Sequence, residues 1–444
     1  MLELTYKKIL AIAVPLMFGT FVQSVVMLTD TAFVSRLDDT VSFNAVNNAG
    51  LIYVSLFMLS KGLADGAQIL IARKYGEQNL LQIGSLVFHT QILQLILSGI
   101  LFMVFFFLSS WFIQLIVKDG PTGESMILFL KYRSWGIFFA GMHATLTAFY
   151  IGIGKTSLVL ISTLVMAVSN IILDYSLIFG NLGFNEMGMV GAPLASSISE
   201  LLAFVFLVIS VYMTRDKLQF GISFLNKINV KEIYALVKLG VPLMFQGFFA
   251  LFGWLIFFTL IEREMSPHDL KVSSVIRSVY FIAFIPTFGF GATTRTYVSN
   301  LIGQGKPHLI KNIQRKIMML SFLFIVLFCH APVFFPHYFI PMINPDPLIY
   351  EDSKQVLWLV TGSIILFSLI TVWFNSVAAL GKSNISFLIE GTSIFIYLVA
   401  CYLFIVVLDW NIVAVWTVEY IYFGAIGLMS YFYLQKYRRN FSRI

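Results

Sequence analysis

The chain has 444 residues, of which 59% are hydrophobic, 16% aromatic and only 11% charged. Soluble domains carry about 25% charged residues, so this composition excludes a soluble globular domain, a disordered chain and a nucleic-acid binder. The net charge of +7 matters less than where the individual charges fall.

In chain order, twelve apolar runs are of membrane-spanning length: near 9–35, 46–72, 86–116, 125–151, 157–180, 190–213, 233–261, 272–300, 317–342, 354–380, 385–408 and 411–435. A transmembrane helix needs about 20 such residues. The first run is too long for a cleavable signal and lacks a small-residue cleavage site. A membrane barrel would show roughly ten-residue alternating strands, whereas these runs are solidly apolar. The expected fold is all-α, a bundle of twelve transmembrane helices. Cys329 and Cys401 both sit in apolar runs and define neither a disulfide framework nor a zinc site. The histidines show no metal spacing, and His89, His143, His330 and His337 read as packing or interface residues.

Placing the N-terminus in the cytoplasm and alternating the spans puts 19 Lys and Arg on cytoplasmic segments and 8, Arg133 among them, on outer ones. Lys61 and Arg295 fall within spans. The positive-inside rule then predicts both termini in the cytoplasm and an even number of spans.

An internal repeat organises the chain. At an offset of 227 residues, Val14–Phe18 (VPLMF) falls on Val241–Phe245 (VPLMF), Gly62 on Gly289, Gly76 on Gly303, and Gly154-Lys155 on Gly381-Lys382. The expected organisation is a six-helix lobe over 1–216, a cytoplasmic linker over 217–232 and a second six-helix lobe over 233–444. Six helices per lobe make the repeats parallel, related by a pseudo-two-fold axis along the membrane normal. The halves differ in chemistry. Asp30 corresponds to Phe257, Asn170 to Tyr397, Asp174 to Cys401 and Ser196 to Phe423. Ionisable chemistry is therefore expected in the first lobe.

Charged groups inside a membrane are costly and mark functional sites. At about 1.5 Å per helical residue, Asp30 lies roughly 33 Å beyond Lys8, Asp174 roughly 28 Å beyond Lys155, and Ser196 roughly 28 Å before Arg215. Three helices thus place polar groups at one depth. Asn170 is one turn from Asp174 on the same face, and Gln23 shares a face with Asp30. Desolvated carboxyls of this kind suit proton loading, and with amide and hydroxyl oxygens they also suit Na⁺. Glu200, one turn below Ser196, is a second-tier proton carrier or an interhelical contact. Lys61 and Asp65, four residues apart, are spaced to pair. Arg295 binds a counter-charge or lines the inner mouth. Glu390 and Glu419 read as interface or interhelical groups. Abundant Phe, Tyr, Met and Trp supply surface for amphipathic and cationic ligands. No ATP-binding loop or catalytic triad is evident.

These motifs resemble the multidrug and toxic compound extrusion (MATE) family along essentially the whole chain. The opening helix from Val14-Pro15 through Gln23 to Asp30-Thr31 resembles the family's first helix with its essential aspartate. Gly152–Thr156 (GIGKT) is similar to its inner-loop motif. Asn170–Asp174 (NIILD) is similar to its fifth-helix Asn-x-x-x-Asp. Gly188–Ser196 (GMVGAPLAS) resembles its sixth-helix motif, with Ser196 where threonine is usual and Pro193 interrupting the small-residue run. The resemblance implies twelve helices in two lobes and efflux of organic compounds driven by inward H⁺ or Na⁺. It implies a cation site of Asp30, Asn170, Asp174 and Ser196. Pro15 weakens the backbone ladder of the first helix and is the expected hinge, and no cofactor beyond the coupling ion is expected. A Na⁺ site in the second lobe is disfavoured, because the runs 233–261 and 354–380 have no acidic core residue.

The expected protein is a monomer of the bacterial inner membrane acting on small organic molecules. The competing readings are a flippase for a lipid-linked oligosaccharide, which would need more cavity bases than Lys61 and Arg295, and an integral-membrane enzyme, for which no nucleophile or metal cluster is visible.

Overall fold

The computed structural model describes residues 2–37, 39–116, 120–223, 226–328 and 330–441; Cys329 lies outside the described residues. The long helices are α1 (Tyr6–Ser35), α2 (Thr40–Gly76), α3 (Leu80–Phe107), α4 (Pro121–Ser134), α5 (Gly136–Gly152), α6 (Thr156–Phe179), α7 (Gly191–Met213), α8 (Val230–Glu264), α9 (Pro267–Gly303), α10 (Ile310–Phe328), α11 (Tyr350–Ala379), α12 (Ser383–Tyr402) and α13 (Val418–Phe441). Among the described residues there is no strand. Among the described residues, eleven helical segments are long and apolar enough to cross a membrane. The run read as the fourth span is made of α4 and α5, joined through Trp135 in helical backbone geometry. Helices are the natural outcome, because only they and closed barrels satisfy every backbone group within lipid.

Two runs are shorter as helices than the sequence suggests. The third ends at Phe107 and is followed by a separate helix, Ser109–Ile116. Beyond α10, Pro332 and Pro336 open the short helices Ala331–Phe334 and Pro336–Ile343, since proline suits a first helical turn and disrupts an interior.

On α3 the apolar face is turned outward and polar groups are buried. Ile96, Ile100, Met103 and Phe107 form an exposed stripe at spacings of four, three and four residues, while Gln91, Gln94 and Ser98 are buried. Ser60 Oγ donates to Gln94 Oε1 at 2.7 Å, and Gln94 Nε2 returns a bond to the Ser60 carbonyl at 2.8 Å. Ser98 Oγ donates to the Ile137 carbonyl at 3.1 Å. In hydrocarbon, helices gain little from burying apolar surface against each other, so close packing and such interhelical bonds hold them.

The repeat is visible in the backbone. Adding 227 to the bounds of α2 gives those of α9, and adding it to the start of α6 gives the start of α12. Gly154 and Gly381, also 227 apart, both adopt left-handed geometry, with φ of 77° and 83°, where glycine carries no steric penalty.

The chain divides into two compact units, one of Val14–Met244 and the other of Leu2–Ala13 with Phe245–Ile444. The chain therefore changes unit inside α1 and inside α8, beside Pro15 and Pro242, which lie within those helices. In the second unit, Tyr297 Oη donates to the Glu3 carbonyl at 2.9 Å and Lys316 Nζ to the Leu4 carbonyl at 2.7 Å. The stretch 217–232 belongs to the first unit and is fastened there. Buried Asp216 pairs with Lys155 and accepts from Thr214 Oγ1. Glu232 accepts from Gln82 Nε2 at 3.1 Å and from Ser85 Oγ at 2.5 Å. His89, fully buried, accepts from the Asn229 amide at Nε2 (2.9 Å), which leaves Nδ1 to donate to the Ser85 carbonyl (2.7 Å). Gly62 on α2 faces the Met244 backbone of α8 so closely that a methyl group there would collide with it.

Candidate cation site

Asp30 is the 25th residue of α1, and Asn170 and Asp174 lie one turn apart on α6. Asp174 is fully buried, Asn170 almost so, and Asp30 partly. The carboxyls of Asp30 and Asp174 lie close enough to act on each other. Asn170 Nδ2 donates to Ser196 Oγ of α7 at 3.5 Å. Asp30, Asp174 and Ser196, predicted to share one depth, and Asn170, predicted on the face of Asp174, are therefore all within the first unit. Gln23, expected to join them, has an exposed side chain.

Both oxygens of Asp174, one oxygen of Asp30 and the side-chain oxygen of Asn170 are buried and accept no hydrogen bond from the described residues. Buried acceptors are nearly always satisfied. Two carboxylates facing each other away from water repel strongly, and either a proton or a bound cation relieves that repulsion. For a monovalent cation, the oxygens of Asp30, Asn170, Asp174 and Ser196 are the donors at hand. Among the described residues no three His, Cys, Asp or Glu side chains cluster as a site for a multivalent metal.

Arg133 was read as an outer-face charge, and the structure buries it instead. Its side chain, on α4, is 10% exposed, pairs with Glu200 of α7 and acts on Asp30. Arg133 Nη1 donates to Glu200 Oε2 at 2.8 Å, Nη2 donates to Oε1, and the guanidinium carbon lies 4.0 Å from the Tyr53 ring centre. Glu200 is thus an interhelical ion-pair partner in this conformation. Gly136 makes room for the pair, since a methyl group at that position would collide with Arg133 Nη1, Ser197 Oγ and Glu200 Oε2. The signal available in the sequence was an arginine inside the fourth apolar run with a glutamate inside the sixth.

Pro193 does not interrupt its helix. It occupies the first turn of α7, where its missing N–H costs nothing. Lys61 and Asp65 form the expected ion pair, at 3.6 Å. Arg295 Nη1 donates to Asn375 Oδ1 at 2.6 Å within the second unit. The expectation that ionisable chemistry is confined to the first half needs correction. Glu390 and Glu419 are both buried in the second unit, on helices other than the two whose lack of acids the sequence had shown.

Comparison with known proteins follows the same lines. The MatE family model matches residues 15–176 and again 242–403, two copies at the 227-residue offset of the repeat. The probable multidrug resistance protein NorM of Thermotoga maritima is 26% identical over 357 residues, 78% of this chain and 74% of that protein. The probable multidrug resistance protein YoeA of Bacillus subtilis is 21% identical over 80% of this chain and 77% of its own. Among solved structures, an outward-facing multidrug resistance MATE transporter of the MOP superfamily has a TM-score of 0.85 at 17% identity, covering 99% of this chain and 96% of the other. A MOP superfamily transporter from Pyrococcus furiosus, whose binding pocket is described as reversed in polarity, has a TM-score of 0.86 at 17% identity, covering 96% and 94%. With both halves matched, the chain belongs to the MatE family of integral membrane transporters.

Proposed function

We propose that this transporter exports amphipathic organic compounds, cations among them, from a bacterial cytoplasm in exchange for inward-moving H⁺ or Na⁺. The observation that carries the reading is the pair Asp30 and Asp174, in which both oxygens of Asp174 and one of Asp30 are buried without a hydrogen-bond donor among the described residues. The names of the multidrug-resistance relatives support the cargo. Loading a proton or Na⁺ neutralises the pair and lets α1, α6 and α7 repack. An ion drives such a change only by binding one conformation better than the other. Proline removes one rung of the hydrogen-bond ladder of α1, so Pro15 is the natural bend. In this reading both termini are cytoplasmic, the protein sits as a monomer in the plasma membrane, and access alternates between the two sides. Each elementary charge moved inward gains about 2.3 kcal/mol per 100 mV, enough to sustain a sizeable gradient of an organic cation.

The test is efflux of a fluorescent organic cation from proteoliposomes under separately imposed pH and Na⁺ gradients. Transport should follow one of the gradients and vanish in Asp174→Asn. Transport indifferent to both gradients, or undiminished in that variant, would refute the exchange mechanism.

A further inference from the structure

The buried acids of the second unit stand at positions that the repeat does not pair with those of the first. Glu390 on α12 and Glu419 in the first turn of α13 are 4% and 2% exposed. Tyr422 Oη donates to Glu390 Oε1 at 2.5 Å, and Tyr397 Oη donates to Glu419 Oε1 at 3.2 Å. The rings of Tyr397 and Tyr422 pack 5.2 Å apart. The second oxygen of Glu390 is buried and has no hydrogen-bond partner.

Every neighbouring helix presents a neutral group to this cluster. Trp254 of α8 reaches Glu419. Tyr280 of α9, bonded to Ser363 of α11, and Cys401 of α12 lie within its field. Phe367 of α11 stacks on Phe423 beside Tyr422. Among the described residues no Lys, Arg or His acts on either carboxyl. The first unit differs in this respect, since Arg133 there faces both Glu200 and Asp30. A buried carboxylate without a cation beside it is costly, and taking up a proton removes that cost.

We infer that Glu390 and Glu419, linked by Tyr422 and Tyr397, form a second proton-loading site, held in the second unit and separate from Asp30 and Asp174. The inference rests on reading the chain as ion-coupled. Along their helices, Glu390 lies eight residues past Lys382, about 12 Å, and Glu419 lies 17 residues before Lys436, about 25 Å. The two acids thus stand at different depths. The ligand proposed is a proton: each carboxyl has already committed an oxygen to a phenol, and among the described residues no third His, Cys, Asp or Glu completes a site for a multivalent metal. In loading, a hydronium ion gives its proton to a carboxylate oxygen, leaving water and a neutral acid. On Glu390 the receiving atom is the unpartnered Oε2.

The test uses the full-length chain in lipid nanodiscs carrying Asp30→Asn and Asp174→Asn, so that the first pair is silent. Infrared difference spectra are recorded while the pH is lowered, reading the high-frequency C=O stretch of desolvated carboxylic acids. That band should grow on acidification and be lost when Glu390→Gln and Glu419→Gln are added. Tyr422→Phe and Tyr397→Phe, which keep the packing, should retain the band and move its midpoint by about one pH unit, as loss of a hydrogen bond to a charged group requires. A band that is absent, or unchanged in the glutamine variants, overturns the site. A band removed by Na⁺ at constant pH overturns the proton assignment in favour of a metal cation. The measurement needs no transport. A chain that shows the band yet exports no organic cation would therefore defeat the proposed cargo while leaving this site standing.

Discussion

Removing one partner of the Arg133–Glu200 pair should damage the first unit more than removing both. At 2.8 Å and an effective dielectric of about 20, the gross attraction is about 6 kcal/mol. Desolvation of two groups only 10% and 13% exposed offsets much of it. The larger effect appears when one partner goes, because the other is left charged and buried at a cost of about 3–5 kcal/mol. Glu200→Gln keeps an acceptor for the guanidinium and should lie near the lower bound. Glu200→Ala should lie near the upper one, softened by at most about 2 kcal/mol from the Tyr53 ring. Arg133→Met with Glu200→Leu, which removes both charges, should fall within about 1 kcal/mol of the native chain. The assay is reversible unfolding in mixed micelles, arranged as a double-mutant cycle. A coupling energy below about 0.5 kcal/mol would refute the argument, since a pair that weak would have to be solvated. The cycle also has a functional arm. With Glu200 gone, Arg133 has Asp30 as its remaining carboxylate neighbour, so Glu200→Gln should hold Asp30 ionised and slow gradient-driven efflux.

Gly136→Ala should destabilise the same unit by about 1–3 kcal/mol through overpacking against the ion pair, read as a lower unfolding midpoint, and should cost less when Arg133→Met with Glu200→Leu has already removed the pair. Gly62→Ala should cost at least as much, because the group it meets is the Met244 backbone; Gly50→Ala on the same helix, with open space around it, should be neutral or gain up to about 1 kcal/mol of helix propensity. At the loop before α11, the Lys271 ammonium bonded to Asp346 at 2.7 Å holds that carboxyl below its usual range. A depressed value means that the contact is intact at neutral pH and lost as the pH falls through that value, so amide protection over 344–349 should weaken on acidification in the native chain and not in Asp346→Asn. Cys401→Ala, at the position the repeat pairs with Asp174, should leave ion-coupled efflux in place; loss as complete as in Asp174→Asn would overturn the first-unit assignment.

Much of this architecture was legible in the sequence, because hydropathy and the 227-residue offset are one-dimensional signals. The offset paired Gly154 with Gly381 and Gly76 with Gly303, the last residues of α2 and α9, whereas the starts of those helices lie five or six residues before the apolar runs. Counting helical rise also placed Asp30, Asp174 and Ser196 at one depth, which their packing requires. Charges that depend on a partner from another helix were harder to read. Arg133 looked like an interfacial residue because nothing in its own segment reports Glu200, 67 positions later. Glu390 and Glu419 read as interface or interhelical groups and are interhelical in the structure, but their phenol partners, which come from the opposite helix, were not legible. The extent of 217–232 as part of the first unit escaped notice because a polar stretch reads as a tether unless the buried His89 and Asp216 that fasten it are known.

The exchange of segments inside α1 and α8 has a consequence for biosynthesis. Leu2–Ala13 are made well before the groups that bind their carbonyls, Tyr297 and Lys316, which emerge some 300 residues later. At about 5–20 residues per second, that delay is roughly 15–60 s. The first unit is itself unfinished until Met244 has been synthesised and can meet Gly62. A nascent chain arrested near residue 216 would therefore hold an incomplete first unit, with Leu2–Ala13 still lacking the groups that hold them in the second.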